Sequence, residues 1–469
     1  MSQELQDYYD SKIDAHLAEV RRLREERNAN CSKTKSLPSE ILVMIFGVLE
    51  CTFRGTRHSH LQWFVVTHVC RTWRKVALSE PTLWVDFVNP PRKCARELFA
   101  RTQEAPLILQ LVDHPQDNLA FLFDHIVEHP ERMKVLTIHT ISRPFRANLF
   151  TKPAPYLESL DILSETPTEF PPDFLGGFAP QLKSLKCNIS HFPDQASWLA
   201  NLTTLQWSNR SLRPHAHIYV SMDALLSTLG NMPLLQTLDM TFANYEHEVT
   251  GSSRTKLVHL PHLTNITIHA QHKSLLKMFS YLSVDNIERL WVTSCLRDGL
   301  DTGAVEPVFH FFDQCYHGGD LHYLLHEDDS LKLHRSADMN RAEAPVLTLV
   351  YDRLDVACFP GLIPPCAPRV LESRRIPSGK LILMKCSTIE ELHISTYSRF
   401  DLEFDGTSPP YPSLQRLHLN KIRLTEDHLP RLKRWLGGRK SRVELILNGC
   451  TIGPEVVKIL KGVTSVIQH

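Results

Sequence analysis

The residues best equipped for chemistry in this sequence are a histidine pair, His322 and His326, followed at once by Glu327, Asp328 and Asp329. Four residues apart on a helix, two imidazoles would share one face and could chelate Zn2+. The glutamate of the H-E-x-x-H metalloprotease pattern is absent, because Tyr323 stands in its place. With 25 histidines in the chain, a chance pair is the simpler reading. The eleven cysteines are scattered from Cys31 to Cys450 without a C-x-x-C pair, which points to reduced, mostly buried thiols and to no structural metal. There is no phosphate-binding G-x-x-x-x-G-K-[ST] loop, no dinucleotide G-x-G-x-x-G after a strand and no G-x-S-x-G nucleophile elbow. The run "RLKRWLGGRK" from Arg431 to Lys440 could contact phosphates, but it reads more simply as the basic end of a helix stopped by Gly437 and Gly438. No catalytic constellation, metal or cofactor is expected, so the elements around these residues must be read for binding.

Bulk properties set the frame. The 469 residues are enough for two to four domains at about 100–200 residues each. A hydrophobic share of 42% with 22% charged residues is that of a globular chain. Lys plus Arg and Asp plus Glu are 52 each, so charge offers no sign of nucleic acid or of an anionic membrane as partner. No stretch approaches the ~20 apolar residues of a membrane span. The opening "MSQELQDYYDSK" lacks the order of a signal peptide, which leads to an expected cytoplasmic or nuclear location.

Residues Asp10 to Asn30 have helical periodicity, with Ile13, Leu17 and Val20 on one face and "RRLREER" around the rest. The segment "LPSEILVMIFGVLE", Leu37 to Glu50, then devotes nine of fourteen positions to Leu, Ile, Val, Met and Phe. Pro38 and Glu40 suit a helix N-terminus. Ile41, Leu42, Ile45, Phe46 and Leu49 would form one stripe, and Val43, Met44 and Val48 a second patch. A helix apolar nearly all round is buried on more than one side. A second helix is expected in "VVTHVCRTWRKVALSEPTLW", with Val66, Val69, Cys70, Trp73 and Ala77 on its apolar face and Pro81 at its end. Under ~50 residues, such a unit struggles to bury enough surface alone and needs either a partner or a larger domain around it.

The ordered set Leu37-Pro38-x-Glu40-Ile41-Leu42, Ile45-Phe46, Val69-Cys70-x-x-Trp73 and Leu83-Trp84 resembles the F-box. F-boxes are short helical modules that dock on a Skp-type adaptor and so join a cullin–RING ubiquitin ligase. The resemblance implies adaptor contacts at Leu37, Pro38, Ile41, Leu42, Ile45, Val69, Cys70 and Trp73. One departure is the connection "ECTFRGTRHSHLQ", longer and more polar than the usual one. With its preceding helix, the segment is also similar to the F-box families of mushroom-forming (basidiomycete) fungi.

Beyond Pro91 one pattern recurs, commonly a proline followed by L-x-x-L-x-(apolar). It appears in "APYLESLDIL", "APQLKSLKCN", "LANLTTLQWS", "MPLLQTLDMT", "LPHLTNITIH", "VDNIERLWVT", "CSTIEELHIS" and "YPSLQRLHLN". "HPERMKVLTIH" reads as the first copy and "SRVELILNGC" as the last. Five anchor spacings fall between 20 and 28 residues, in or near the leucine-rich-repeat range of ~20–29. In such a strand the fourth and sixth residues face a core, and the third, fifth and seventh face out. Segments such as Ser221–Asn231 would supply outer helices, and each proline would help stop the helix and turn the chain before its strand. The asparagine of the repeat motif is inconsistently placed, with Asn209 and Asn420 both offset. From Asp298 to about Lys380 the rhythm lapses, with "APVLTLVYD" a plausible strand inside.

The expected architecture is therefore α/β. An N-terminal helix spans 1–35 and an all-α F-box 36–88. An irregular leucine-rich-repeat-like βα solenoid follows over 89–469, with an irregular insertion at about 298–380. An ordinary α/β domain with look-alike strands is the alternative. Outward strand positions Asp161, Lys186, Gln206, Asp239, Thr267, Trp291, His393 and His418 would form the recognition face for an unknown protein substrate. Trp291 stands out there, either as an exposed anchor or as a residue turned into the core. The expected role is non-catalytic: a substrate receptor holding a target near a ubiquitin ligase. Its rivals are an F-box scaffold outside any ligase and an enzyme using His322 or His326.

Overall fold

The computed structural model describes residues 3–31, 37–53, 62–90, 92–112, 120–140, 146–165, 168–191, 196–208, 221–242, 257–295, 306–317, 321, 323–327, 330–334, 345–351, 368–374, 388–395, 411–436, 442–462 and 464–468. The chain divides into two compact units, Met1–Leu109 and Gln110–His469.

The first unit is mainly helical. Helix α1 (Gln3–Cys31) is longer than its apolar periodicity suggests. Its described side chains are all exposed, and Arg22 supports it locally by pairing with Glu19 at 2.8 Å and Glu26 at 3.1 Å. Helix α2 (Ser39–Phe53) follows, then a 3-10 turn over Gln62–His68 and α3 (Arg71–Ser79). The single helix expected across Val65–Ser79 is thus two elements. The break falls at Cys70, whose extended backbone (φ −155°, ψ 170°) makes it the N-cap of α3, with Sγ accepting from the Trp73 N–H at 3.5 Å. Pro81 opens a short 3-10 turn capped by the Glu80 carboxylate, and Trp84 at its end donates from Nε1 to the Ala77 carbonyl at 2.7 Å. Helix α4 (Arg92–Thr102) lays Arg101 over the Trp84 ring at 4.4 Å.

The second unit is built on a sheet of strands β1 (Met133–Thr140), β2 (Ser159–Ser164), β3 (Ser184–Cys187), β4 (Thr204–Ser208), β5 (Thr237–Phe242), β6 (Asn265–Gln271) and β7 (Arg289–Cys295). These pair parallel, each with the next in sequence. Alternate residues point to one buried layer: Leu160 and Ile162, Leu185 and Cys187, Leu205 and Trp207, Leu238 and Met240 are all below 5% exposed. A parallel sheet needs a crossover between strands. Here α6 (Met222–Gly230), α7 (His272–Tyr281) and α8 (Glu306–Cys315) supply crossovers, after α5 (Ala120–Glu128) near the start of the unit. Elsewhere 3-10 turns such as Ser197–Asn201 do so. As expected for Ser221–Asn231, α6 is capped by Ser221, whose Oγ accepts from the Ala224 N–H.

The prolines turn the chain, as read in the sequence. In five repeats the anchor leucine donates its N–H three residues back, Leu157 to Ala154, Leu182 to Ala179, Leu235 to Met232, Leu263 to Leu260 and Leu414 to Tyr411. Proline is the second residue of each turn, where its fixed φ is favoured. It shapes the corner into the strand.

The irregular 298–380 stretch contributes to the same sheet rather than standing apart from it. Its strands β8 (Tyr323–Glu327), β9 (Ser330–His334), β10 (Leu347–Tyr351) and β11 (Val370–Arg374) enter in reversed order. Strand β10 pairs parallel with β7, then β9 and β8 follow antiparallel, and β8 pairs parallel with β11. Within "APVLTLVYD", Leu347–Tyr351 is indeed a strand. The regular parallel order resumes with β12 (Glu391–Ser395), β13 (Arg416–Asn420), β14 (Glu444–Asn448) and β15 (Ser465–Gln468). Helices α9 (Leu429–Leu436) and α10 (Pro454–Lys461) cover this end.

Asparagines tie neighbouring strands together, though not at regular intervals. Buried Asn188 accepts from the Ser164 N–H at 2.7 Å and donates to the Ser164 carbonyl at 2.6 Å. Asn448 donates to Asn420, which donates to Ser395. Asn209 lies outside the described residues.

Candidate functional site

Two surfaces carry the functional reading, one in each unit. In the first, α2 splits into two stripes at helical spacing. Leu42 and Phe46 are buried, at 1% and 0% exposure, and Phe46 packs on Trp73 with ring centroids 5.2 Å apart. Trp63, Val66, Ala77, Leu83 and Trp84 complete this core, and the Trp63 and Trp84 rings lie 4.9 Å apart. The other stripe, Ile41, Met44, Ile45 and Val48, faces solvent at 41, 66, 44 and 70% exposure. The expected division of α2 is therefore corrected: Ile41 and Ile45 belong with Met44 and Val48, at i, i+3, i+4 and i+7, and not with Leu42 and Phe46. Val65 and Val69, also exposed, add to the apolar surface of the same unit.

Of the residues carried over from the F-box resemblance, Pro38, Ile41, Ile45 and Val69 are exposed, and Leu37, Cys70 and Trp73 are half-buried. Leu42 is the exception. Its side chain is enclosed in the unit's own core and presents no surface to a partner in this conformation. Cys70 is occupied as the cap of α3. Met44, Val48 and Val65 are exposed as well, beside the residues that the resemblance names.

In the second unit, the outward residues of the strands fall in one register row. Thr137, Asp161, Lys186, Gln206, Asp239, Thr267, Trp291 and Thr348 are successive cross-strand partners. The row continues through Lys332, Leu325 and Glu372 to His393 and His418. At ~4.8 Å per strand, Asp161 and Trp291 are about 24 Å apart, and Trp291 and His418 about 29 Å. The sheet thus aligns every outward residue named from the sequence, in three groups. Asp161 lies 3.6 Å from Lys186 Nζ and 3.2 Å from His139 Nε2, while Gln206 donates to Asp239 at 2.8 Å. Asp161, Lys186, Gln206 and Asp239 line a concavity of about 310 Å3 together with Asn188, Thr241 and His269. Trp291 is 44% exposed, with Nε1 donating to Thr293 Oγ1 at 3.3 Å. It projects from the row rather than into the core.

The third group is His393 and His418, whose rings stack in parallel with centroids 3.9 Å apart. Glu391 Oε2 lies 3.5 Å from His393 Nε2 and 3.8 Å from His418 Nε2, and its other oxygen is held by Arg416. Burial first, and then the adjacent His393, push His418 down to about 4, so it is neutral at pH 7.

The pair singled out first behaves differently. His326 lies in strand β8 rather than on a helix, so the i, i+4 argument for joint chelation does not apply; His322 lies outside the described residues. Among the described residues the thiols divide between core and surface. Cys187 and Cys315 are buried and shifted up chiefly by that burial, but Cys31, Cys51 and Cys94 are exposed. Among the described residues no helix is long and apolar enough to cross a membrane.

Comparison with known proteins agrees with the first unit's geometry. Residues 34–89 match the F-box-like family. No curated protein matches the chain. The chain therefore carries an F-box-like domain, and F-box domains generally bind Skp-type adaptors of cullin–RING ligases.

Proposed function

We propose that this protein is the substrate-recognition subunit of an SCF-type cullin–RING ubiquitin ligase. The observation that carries the reading is the exposed stripe Ile41, Met44, Ile45 and Val48 on an F-box-like domain whose own core is already filled by Leu42, Phe46, Trp63 and Trp84. A folded unit that keeps four large apolar side chains of one helix in water is built to be covered. A Skp-type adaptor fits this surface, with Leu37, Pro38, Ile41, Ile45 and Val69 at the contact. Cys70 and Trp73 hold the α3 end in shape.

The second unit is read as a leucine-rich-repeat-like solenoid that holds the target protein. Supporting this are the one-strand-per-repeat parallel register, the recurrent Pro turn and the row of outward residues from Asp161 to His418. The chain needs no reacting group for this role. Tethering raises the effective concentration of a substrate lysine near the ubiquitin-charged enzyme.

The test is co-purification of the full-length protein with a Skp-type adaptor and cullin. Leu37→Ala with Pro38→Ala, and separately Ile41→Asp with Ile45→Asp, should abolish adaptor capture while circular dichroism stays unchanged. Undiminished capture by both pairs would refute the reading. If capture is lost but no ubiquitylated protein changes in cells, the protein is a scaffold outside the ligase.

A further inference from the structure

We propose that Glu391, His393 and His418 form a Zn2+ site on the outward face of the sheet, with a coordination position left open. The site is independent of the F-box reading. Two adjacent strands build it: Glu391 and His393 stand two residues apart on β12, and His418 is the direct cross-strand partner of His393 on β13. One ligand atom from each of the three lies within 4.8 Å of the other two.

The distances suit a small tetrahedral cation. At Zn–N and Zn–O lengths of ~2.0–2.1 Å, tetrahedral ligand atoms sit about 3.3–3.5 Å apart. The Glu391 oxygen is 3.5 Å from one imidazole nitrogen and 3.8 Å from the other, so closing the triad takes a shift of only a few tenths of an ångström there. The set itself, two imidazoles and one carboxylate, is the donor combination of many Zn2+ centres that keep a fourth position free. His418 Nε2 points into the same space and is buried without a hydrogen-bond partner. Leaving such an atom unpaired is costly unless something binds it.

Two features oppose binding, and each makes a prediction. The rings are parallel within 6°, so their lone pairs run side by side and must turn to converge. Rotation about the last side-chain torsion of histidine is soft, which makes that motion inexpensive. Arg416 holds the second oxygen of Glu391 and places a positive charge beside the incoming metal. Removing that charge should tighten the site.

The experiment is titration of chelator-stripped full-length protein with ZnCl2, and with CoCl2 as a spectroscopic probe. Wild type should bind one Zn2+ at this site and give the intense visible absorption of four-coordinate Co2+ with nitrogen ligands. His393→Gln and His418→Gln should each lower affinity at least tenfold and remove that absorption, and Arg416→Gln should raise affinity. His322→Gln with His326→Gln should change neither. Circular dichroism checks each variant's fold; if His418→Gln misfolds, Glu391→Gln and His393→Gln decide, since both side chains are partly exposed. Wild type lacking the four-coordinate absorption, or a site that survives loss of His393, would overturn the proposal.

Discussion

The F-box-like unit leaves apolar side chains in water, whereas the sheet of the second unit leaves mostly polar ones there. On α2, Met44 and Val48 are 66 and 70% exposed, and no hydrogen bond can satisfy them. On the strand row, Asp161, Lys186, Gln206 and Asp239 already pair with one another. A partner covering the first surface gains the hydrophobic term directly. A partner on the second must exchange existing polar contacts for new ones, which gives specificity more than affinity. Under the proposed function, the contrast implies a durable interface on the first unit and an exchangeable one on the second, with Trp291 an exposed apolar side chain among polar ones.

The largest effect should come from charging the apolar stripe. Ile41→Asp with Ile45→Asp forfeits about 1.5–3 kcal/mol per side chain of burial in the complex. Adaptor affinity should drop by at least about 100-fold, with the melting temperature nearly unchanged. A variant that kept its affinity would break the contrast at its root. Next in size is Phe46→Ala, on the opposite side of the same helix. It empties a fully buried aromatic site and should lower the stability of the first unit by about 3–5 kcal/mol, measured by denaturant unfolding. Both variants touch α2, so only their opposite signatures, binding without stability loss and stability loss itself, confirm that the two stripes are distinct.

In the second unit, Asn188→Ala leaves the Ser164 N–H and carbonyl without their buried partner. The expected cost is about 1–3 kcal/mol in unfolding. Trp291→Ala should leave stability unchanged and weaken target capture about tenfold, as loss of an exposed aromatic anchor does. Its check is the yield of proteins retained by the full-length chain in quantitative mass spectrometry. Unaltered capture would show that Trp291 is not the anchor of this surface.

The smallest effect concerns acid. His418 is held at about 4, mainly by burial, while an unfolded-chain histidine titrates near ~6.5. Between these values the unfolded chain binds a proton that the folded chain does not. Stability in the metal-free protein therefore falls as pH drops from 6.5 towards 4. Partial exposure of the ring keeps the slope shallow. His418→Gln should flatten it, as read from melting temperatures at several pH values.

Much of this was legible before any coordinates. The alternation in "LESLDIL" or "LQRLHLN" specifies which side chains of a strand face the core, because the strand period is two regardless of context. That is why every outward residue from Asp161 to His418 falls on one row. On α2 the sequence groups Ile41 and Ile45 with Leu42 and Phe46, whereas exposure places them with Met44 and Val48. Where several apolar residues crowd one helix, though, periodicity alone does not say which stripe is inward. Packing of Phe46 on Trp73, in the core that Trp63 and Trp84 complete, decides that. The sequence by itself thus determined local period, turn chemistry and the F-box-like order of residues 34–89, since these depend on neighbours a few positions apart. Only the tertiary structure decided that β8, β9 and β10 enter the sheet in reversed order. It also broke the expected second helix at Cys70 and set Glu391 against two histidines from adjacent strands. The strand order and the Glu391 cluster depend on contacts between residues distant in the chain, whose pairing no local spacing encodes; the break at Cys70 is a local cap that apolar periodicity does not report.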